Sequence, residues 1–309
     1  MDSKTFNDIK TKFQTTYFKE IKPNLDDFEA RRKKYSNTYF YITLPLGVII
    51  SLVALFTLGT QNDQEAIELC FCIIAFAIVI NIALYKGLEK KLENDIKNRF
   101  MSNICKCFEN LSWSNQVYYN SSEFHKIGLF DYYNTERFDD IFSGNYKNVK
   151  FEIIEANFKH EIRAGKRRYE KPVFDGIILK IQTPKDFETH TLIRPDGLFK
   201  MPIKNLKRTE LEDVVFEKKY DVYTDNEIES RVIITAAFME RLNNIKEVFN
   251  AQKVYCCFIK NIAYVGLQTE RDMFQLCSLR KGLDASFFSK MFEEIISIYR
   301  LIDHLKMSK

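Results

Sequence analysis

No GxxxxGK[ST] loop is present in this chain, and no GxGxxG follows a strand-like run. The GxSxG of a nucleophile elbow and the HExxH of a zinc peptidase are missing too. Gly197 and Gly282 stand isolated. No motif therefore assigns a reaction. An excess of one charge is also lacking: 46 basic and 42 acidic side chains give a net charge of +4. That balance is not the electrostatic footprint of a dedicated nucleic-acid binder, so no nucleic-acid partner is expected. The seven cysteines (Cys70, Cys72, Cys105, Cys107, Cys256, Cys257 and Cys277) are odd in number and irregular in spacing, which excludes a secreted disulfide framework. Cys105-Lys106-Cys107 could supply half of a metal site, but His125, His160, His190 and His304 offer no companion spacing. No metal and no cofactor are expected. The first apolar run begins near residue 38, too late for the core of a signal peptide, and none is expected.

What the chain does have is two long apolar runs, residues 38–58 and 66–85, separated by seven residues. Each is about long enough to cross a hydrocarbon core of roughly 30 Å as a helix. The short linker folds them back as a hairpin. Pro45 and Gly47 are tolerated inside a membrane helix, and Tyr39, Tyr41 and Tyr85 lie where headgroup-level aromatics belong. Glu68 sits about one turn from the linker and reads as a boundary residue. Asn81 lies deeper and needs a partner, with the neighbouring helix one candidate. Arg31, Arg32, Lys33 and Lys34 precede the first run, and Lys86, Lys90, Lys91, Lys97 and Arg99 follow the second. The linker has no Lys or Arg and carries Asp63 and Glu65. Basic flanks stay in the cytoplasm, so the expectation is a multi-pass protein of the bacterial inner membrane with both termini cytoplasmic.

The domain expectation is a helical segment over 1–37, a transmembrane hairpin over 38–85, an exit helix over 86–110 and an α+β domain over 111–309. In the first segment Phe6, Ile9, Phe13, Tyr17, Phe18 and Ile21 form a stripe that Pro23 interrupts and Leu25 and Phe28 resume. Leu88, Leu92, Ile96, Phe100, Ile104 and Phe108 form a second stripe. The two helices either pack on each other or one lies in the interface, and mutual packing is the preferred reading. After residue 111 the pattern predicts a mostly antiparallel sheet packed against helices. Residues 123–133 read as strand or turn, Ser143-Gly144 as a turn, and 146–158, 173–181 and 189–194 as strands. A basic hairpin tip lies at 163–170 and a Pro195-Asp196-Gly197 turn follows. Thr224 or Asp225 is expected to cap a helix running to about 249, with Thr224 and Glu227 matching a capping box. Strands at 253–258 and 262–267 are joined by a turn at Lys260-Asn261. A short strand at 272–276 and a helix at 284–307 complete the reading.

These pieces carry a resemblance. The basic-flanked hairpin, FDDIFSGNYKNVKFEIIEA at 138–156, FDGIILKI at 174–181, KYDVYTDNEIESRVIITAAFMERL at 219–242 and AYVGLQ at 263–268 resemble an uncharacterised bacterial family of two-helix membrane proteins, known as a domain of unknown function. The resemblance covers most of residues 30–305, with 222–242 its most specific block. It implies a two-helix anchor, a cytoplasmic α+β domain and a turn role for Gly144. It transfers no mechanism.

Two groups of residues are candidates for function. Asp139, Asp140, Asp225, Glu229 and Arg231 are candidate ligand-binding residues. Asp139-Asp140 needs a third carboxylate to hold a cation, and otherwise reads as a solvated helix terminus. Glu227 and Arg231, four apart on one helix face, suit a surface ion pair. Arg163, Lys166, Arg167 and Arg168 form the densest basic patch, fit for anionic lipid or simply an exposed loop. The expected function is a membrane-anchored cytoplasmic binding or scaffold protein. Its partners are the lipid bilayer and a protein at the membrane. The alternative is an inner-leaflet enzyme using the clustered carboxylates, and a single concave pocket joining the 139–140 and 225–229 regions favours it.

Overall fold

The structure, a computed structural model, describes residues 2–60, 64–108, 110–115, 119–165, 167–196, 205–211, 213–269, 273–274, 277–282 and 285–307. Residues 61–63 of the linker, Lys166, Gly197, and residues 272 and 275–276 of the short strand expected at 272–276 lie outside the described residues; Met273 and Phe274 are in a turn. The protein is α+β and resolves into two compact units. One consists of Gln14–Asn103 with Gln275–Phe288, and the other of Met1–Phe13, Ile104–Phe274 and Ser289–Lys309.

The helical unit is built from the end of α1 (Ser3–Thr16), α2 (Lys22–Thr38), α3 (Leu44–Thr60) and nearly all of α4 (Gln64–Cys105), while most of α1 belongs to the other unit. Helix persists through Pro23, where the stripe pattern suggests an interruption. The reason is a π turn at Tyr17–Ile21, in which the Lys22 N–H reaches the Tyr17 carbonyl. A second π turn, Tyr39–Thr43, sits in the same place ahead of Pro45, with the Leu44 N–H on the Tyr39 carbonyl. The wider turn gives each proline ring room beside the preceding carbonyls, so the helix absorbs a residue that otherwise breaks it. Phe28 of α2 packs on Phe100 of α4 at 4.8 Å, and Ile21, Leu92, Ile96 and Phe100 are buried. Mutual packing of the two stripes is thus realised here. Higher up, the Asn81 amide fills the space left by Gly47 and donates to the Ala77 carbonyl of its own helix at 2.9 Å.

Two helices are long and apolar enough to cross a membrane. Only 11% of the first apolar stretch and 6% of the second is buried, whereas a core helix of a soluble protein is mostly buried. Val53, Phe56, Leu69, Phe71, Phe76 and Val79 are each exposed.

The sheet unit holds seven antiparallel strands: β1 (Leu111–Ser114), β2 (Thr135–Tyr146), β3 (Val149–Ala164), β4 (Arg167–Pro195), β5 (Lys207–Thr209), β6 (Tyr220–Thr224) and β7 (Lys253–Gln268). The order is β1-β2-β3-β4-β6-β5, with β7 paired to the other edge of β4. One face carries Ile154, Phe158, Phe174 and Ile178 under Phe124 of α5 (Ser122–Ile127), with Phe130 and Tyr133 beyond it. A short helix, α6 (Val214–Glu217), precedes β6. The other face meets α8 (Ala236–Val248) through Phe238 on Phe258, and α9 (Ala285–Met307) through Tyr299 on Phe151. Each buried phenylalanine contributes about 1.5–3 kcal/mol.

Several local expectations change. The two strands at 173–181 and 189–194 are one strand, β4, because Pro172 and Pro184 sit at register shifts where no ladder bond is lost. Likewise β7 runs through Lys260-Asn261, with Lys260 at φ 53 marking an irregularity rather than a turn. The β2–β3 turn is Lys147-Asn148, both at positive φ, and not Ser143-Gly144. Gly144 pairs with Leu111 and Phe151 inside the sheet, where a Cβ would strike the Phe151 ring. Residues 123–133 begin as helix α5. The helix expected to 249 is two helices, α7 (Glu227–Ile233) and α8, because Thr235 caps α8 by accepting from Phe238 N at 3.2 Å.

Gly176 is the tightest point of β4. A Cβ there would meet the Leu267 carbonyl oxygen and lie 2.9 Å from Thr269 N, both backbone atoms of the paired strand region. Gly176→Ala is expected to destabilise the sheet unit by about 3 kcal/mol, the upper end of overpacking costs, read as a lower melting temperature of the purified protein.

Candidate functional site

The sheet brings the sequence candidates to two separate places. Asp139 and Asp140 lie within strand β2, not at a helix terminus. Phe138 pairs with Ala156 and Ile141 with Ile154, so the two aspartates together face Glu155. This two-against-one arrangement is a β-bulge. It turns the pair in different directions. Asp140 is fully buried and accepts from the Trp113 indole N–H at 2.7 Å. Asp139 stays near the surface, paired with Arg137. Beside it a small cleft of about 170 Å³ is lined by Arg137, Asp139, Glu155, Ala156, Asn157 and Asp175. Glu155 accepts from Met273 N at 2.9 Å, which ties that carboxylate to the backbone. Further carboxylates do come near Asp139, yet among the described residues no three His, Cys, Asp or Glu side chains are arranged to hold a metal ion.

Asp225 lies elsewhere, at the junction of β4 and β6. Thr191 pairs with Thr224 across the strands, and Thr189 lies two residues along β4 on the same face. The three hydroxyl oxygens close a buried triangle with edges of 2.8, 2.9 and 2.9 Å. Asp225 Oδ1 accepts from Thr189 Oγ1 at 2.9 Å and from the His190 N–H at 2.8 Å. The His190 ring donates from Nε2 to the Ile127 carbonyl at 2.9 Å. Asp225 thus braces a strand junction, and the cap of α7 is Asn226, whose side chain accepts from Glu229 N at 3.2 Å. Thr224 and Asp225 are already engaged, so the cap falls to the next polar residue.

A cleft of about 530 Å³ opens over this junction. Lys126, Glu188, His190, Asp225 and Lys260 give it charge of both signs, and Phe187 and Ile259 give it apolar wall. Glu229 and Arg231 belong to α7 and do not line it; Arg231 donates to the Glu210 carbonyl at 3.4 Å. The two clefts share no residue, so the 139–140 and 225–229 regions are not joined in one pocket.

Lys126, His190 and Lys260 were not singled out by pattern, since 134 positions separate the two lysines and only the folded sheet brings them together. The same holds for the network of Tyr119, Glu123, Glu152 and Lys180. There the Lys180 ammonium lies 2.8 Å from Glu123 and the Tyr119 hydroxyl donates to Glu123 at 2.7 Å. Burial, then the neighbouring carboxylates, push the Tyr119 phenol far up, so it stays protonated, donating to Glu123 and accepting from Lys180 at 3.4 Å. Burial likewise pushes the Cys105 thiol up to about 12.

At the basic tip, Arg163 and Arg168 both reach Glu161, at 2.8 and 2.6 Å, and Lys159 pairs with Glu170 at 2.9 Å. Arg167 is exposed.

Fold and site together define an α+β protein with an antiparallel sheet, surface clefts and, among the described residues, two helices apolar enough for a bilayer. Residues 172–307 match a family described as a protein of unknown function, DUF3137. No curated protein matches the chain. A solved structure, the mycobacterial trehalose monomycolate transport factor A, TtfA, is similar at 10% identity over 60% of this chain and 93% of that one. Its TM-score of 0.28 is too low to bear on function.

Asp225→Ala removes a charged acceptor from two donors and is expected to cost about 1.5–3 kcal/mol. Asp139→Ala breaks only a surface pair with Arg137 and is expected to cost under about 1 kcal/mol. Thermal unfolding of the two variants side by side measures the difference.

Proposed function

We propose that this chain is a membrane-anchored binding protein of the bacterial inner membrane. Helix α3 and the first half of α4 cross the bilayer, both termini are cytoplasmic, and the sheet unit binds a partner at the membrane surface through the cleft beside Asp225. The observation that carries the reading is the nearly complete exposure of two long apolar helices, a surface that water disfavours and lipid accepts. The orientation rests on the basic residues outside both runs, Arg31 to Lys34 and Lys86 to Arg99. A binding role fits the carboxylates better than catalysis. Asp140, Glu155 and Asp225 each brace the fold through an indole, a backbone N–H or a hydroxyl. Anchoring raises the local concentration of the cleft for partners held in the same membrane.

Two measurements test the reading. An alkaline phosphatase fused after Lys309 is expected to be inactive and a fluorescent protein at the same point bright. The opposite pattern overturns the topology. A photocrosslinking amino acid at Lys260, at the cleft, is expected to trap a partner in native membranes, whereas one at exposed Lys150 is not. Equal trapping at both positions would remove the cleft from the proposal.

A further inference from the structure

The β3–β4 hairpin outruns the sheet. Strand β2 ends opposite Lys159, and the Asn134 side chain extends its edge only to Glu161, through bonds to the Glu161 N–H (2.7 Å) and carbonyl (2.9 Å). Strand β7 ends opposite Gly176. Beyond Glu161, among the described residues, β3 and β4 pair only with each other and form a two-stranded arm roughly 10 Å long.

The arm's register sorts its side chains by chemistry. Residues directly opposite share a face, and successive residues alternate. One face carries Glu161 opposite Glu170 and Arg163 opposite Arg168, where both acids are neutralised by Arg163, Arg168 and Lys159. The other face carries His160 opposite Lys171, Ile162 opposite Tyr169 and Ala164 opposite Arg167. No acid of the arm lies on that second face. Ile162 and Tyr169 are 43% and 51% exposed, which is large for a directly opposed apolar pair. Tyr132, 65% exposed, adds its ring beside His160 at 5.0 Å. Among the described residues neither Arg167 nor Lys171 is ion-paired.

We propose that this second face of the arm, with Ile162, Arg167, Tyr169 and Lys171, docks on an anionic lipid surface; the inference rests on the membrane anchorage proposed above. An apolar pair with a tyrosine hydroxyl suits the headgroup boundary, and two unpaired cations beside it suit negative headgroups. The complementarity belongs to one face only. On the opposite face Lys159, Arg163 and Arg168 are all paired with Glu161 or Glu170, so it offers lipid neither apolar area nor unpaired cations.

The test uses the full chain reconstituted in vesicles. The sequence has one tryptophan, Trp113, so the emission added by Tyr169→Trp is read against the parent protein. In vesicles of brominated phosphatidylcholine with phosphatidylglycerol, position 169 is expected to lose emission. In vesicles without phosphatidylglycerol it keeps it. Arg167→Glu with Lys171→Glu is expected to shift the arm's docking equilibrium about 30-fold toward water, from roughly fivefold per basic side chain. Arg163→Glu, on the other face, leaves quenching unchanged. Absence of quenching in anionic vesicles overturns the proposal, and it is also the result expected of a face made for an acidic protein. Flotation in alkaline carbonate reports the anchor separately. A chain that is quenched at 169 but does not float keeps the arm and loses the anchor, and one that floats unquenched does the reverse.

Discussion

Strand β4 is hydrogen-bonded on both edges, and the sheet unit is arranged around that constraint. From Gly176 to Ile181 it lies between β3 and β7, and from Thr191 to Ile193 between β6 and β7. A strand so enclosed must place every N–H and C=O in a ladder or interrupt the ladder at a defined point. Pro172 and Pro184 fall at those interruptions, and Pro195 is the last residue. Two-sided pairing also forces close approach, which is why position 176 has no room for a Cβ. The clefts and the arm are consequences of the same strand. Asp175 borders the bulge cleft, Thr189 and His190 hold Asp225, and residues 167–171 leave the sheet as half of the hairpin.

The carboxylates that drew attention in the sequence have a common physical explanation. A buried ionised group must be hydrogen-bonded or paired, because leaving it unsatisfied costs several kcal/mol. Buried Asp140 meets an indole N–H and buried Glu155 a backbone N–H, while Asp225, which is exposed, meets a hydroxyl and a backbone N–H. Each of these bonds joins segments distant in sequence: β1 to β2, β3 to the 273–274 turn, and β4 to the residue after β6. The acids therefore fix the relative placement of strands.

What could be read from the chain divides along the range of the interactions. The apolar spans, the basic flanks and the helix expected at 284–307 rest on short-range patterns, and these mark the helices well. Antiparallel pairing was also legible, from strand-like runs joined by short turns. The failures share one cause. The gap between 181 and 189 reads as a break between strands and Lys260-Asn261 as a turn, and only the partner strand shows that they are irregularities in continuous β4 and β7. The bulge at Asp139-Asp140 exists only in relation to Glu155. Thr224 and Asp225 match a capping signal, but Thr189, 35 residues upstream of Thr224, claims both side chains. Gly144 suggests a turn until Phe151 is placed across from it.

The membrane-length helices show the complementary case, in which little polar chemistry is present and shape must specify the pairing. Between two helices in lipid the hydrophobic effect gives no preference, so close packing and the few polar groups decide. Asn81 could have bridged the helices, yet its amide N–H donates to Ala77 in the turn below. Its contribution to pairing is instead volume. The side chain occupies the notch at Gly47, where any Cβ would collide with the amide. Tyr39 stacks edge-on against Tyr85 at 5.1 Å nearer the basic flank, and its hydroxyl lies 3.4 Å from the Asn81 carbonyl. A small residue facing a medium one, with an aromatic pair one end over, fixes register along the axis without any ionised group. That is why a run nearly devoid of ionisable residues can still specify one arrangement of its two helices.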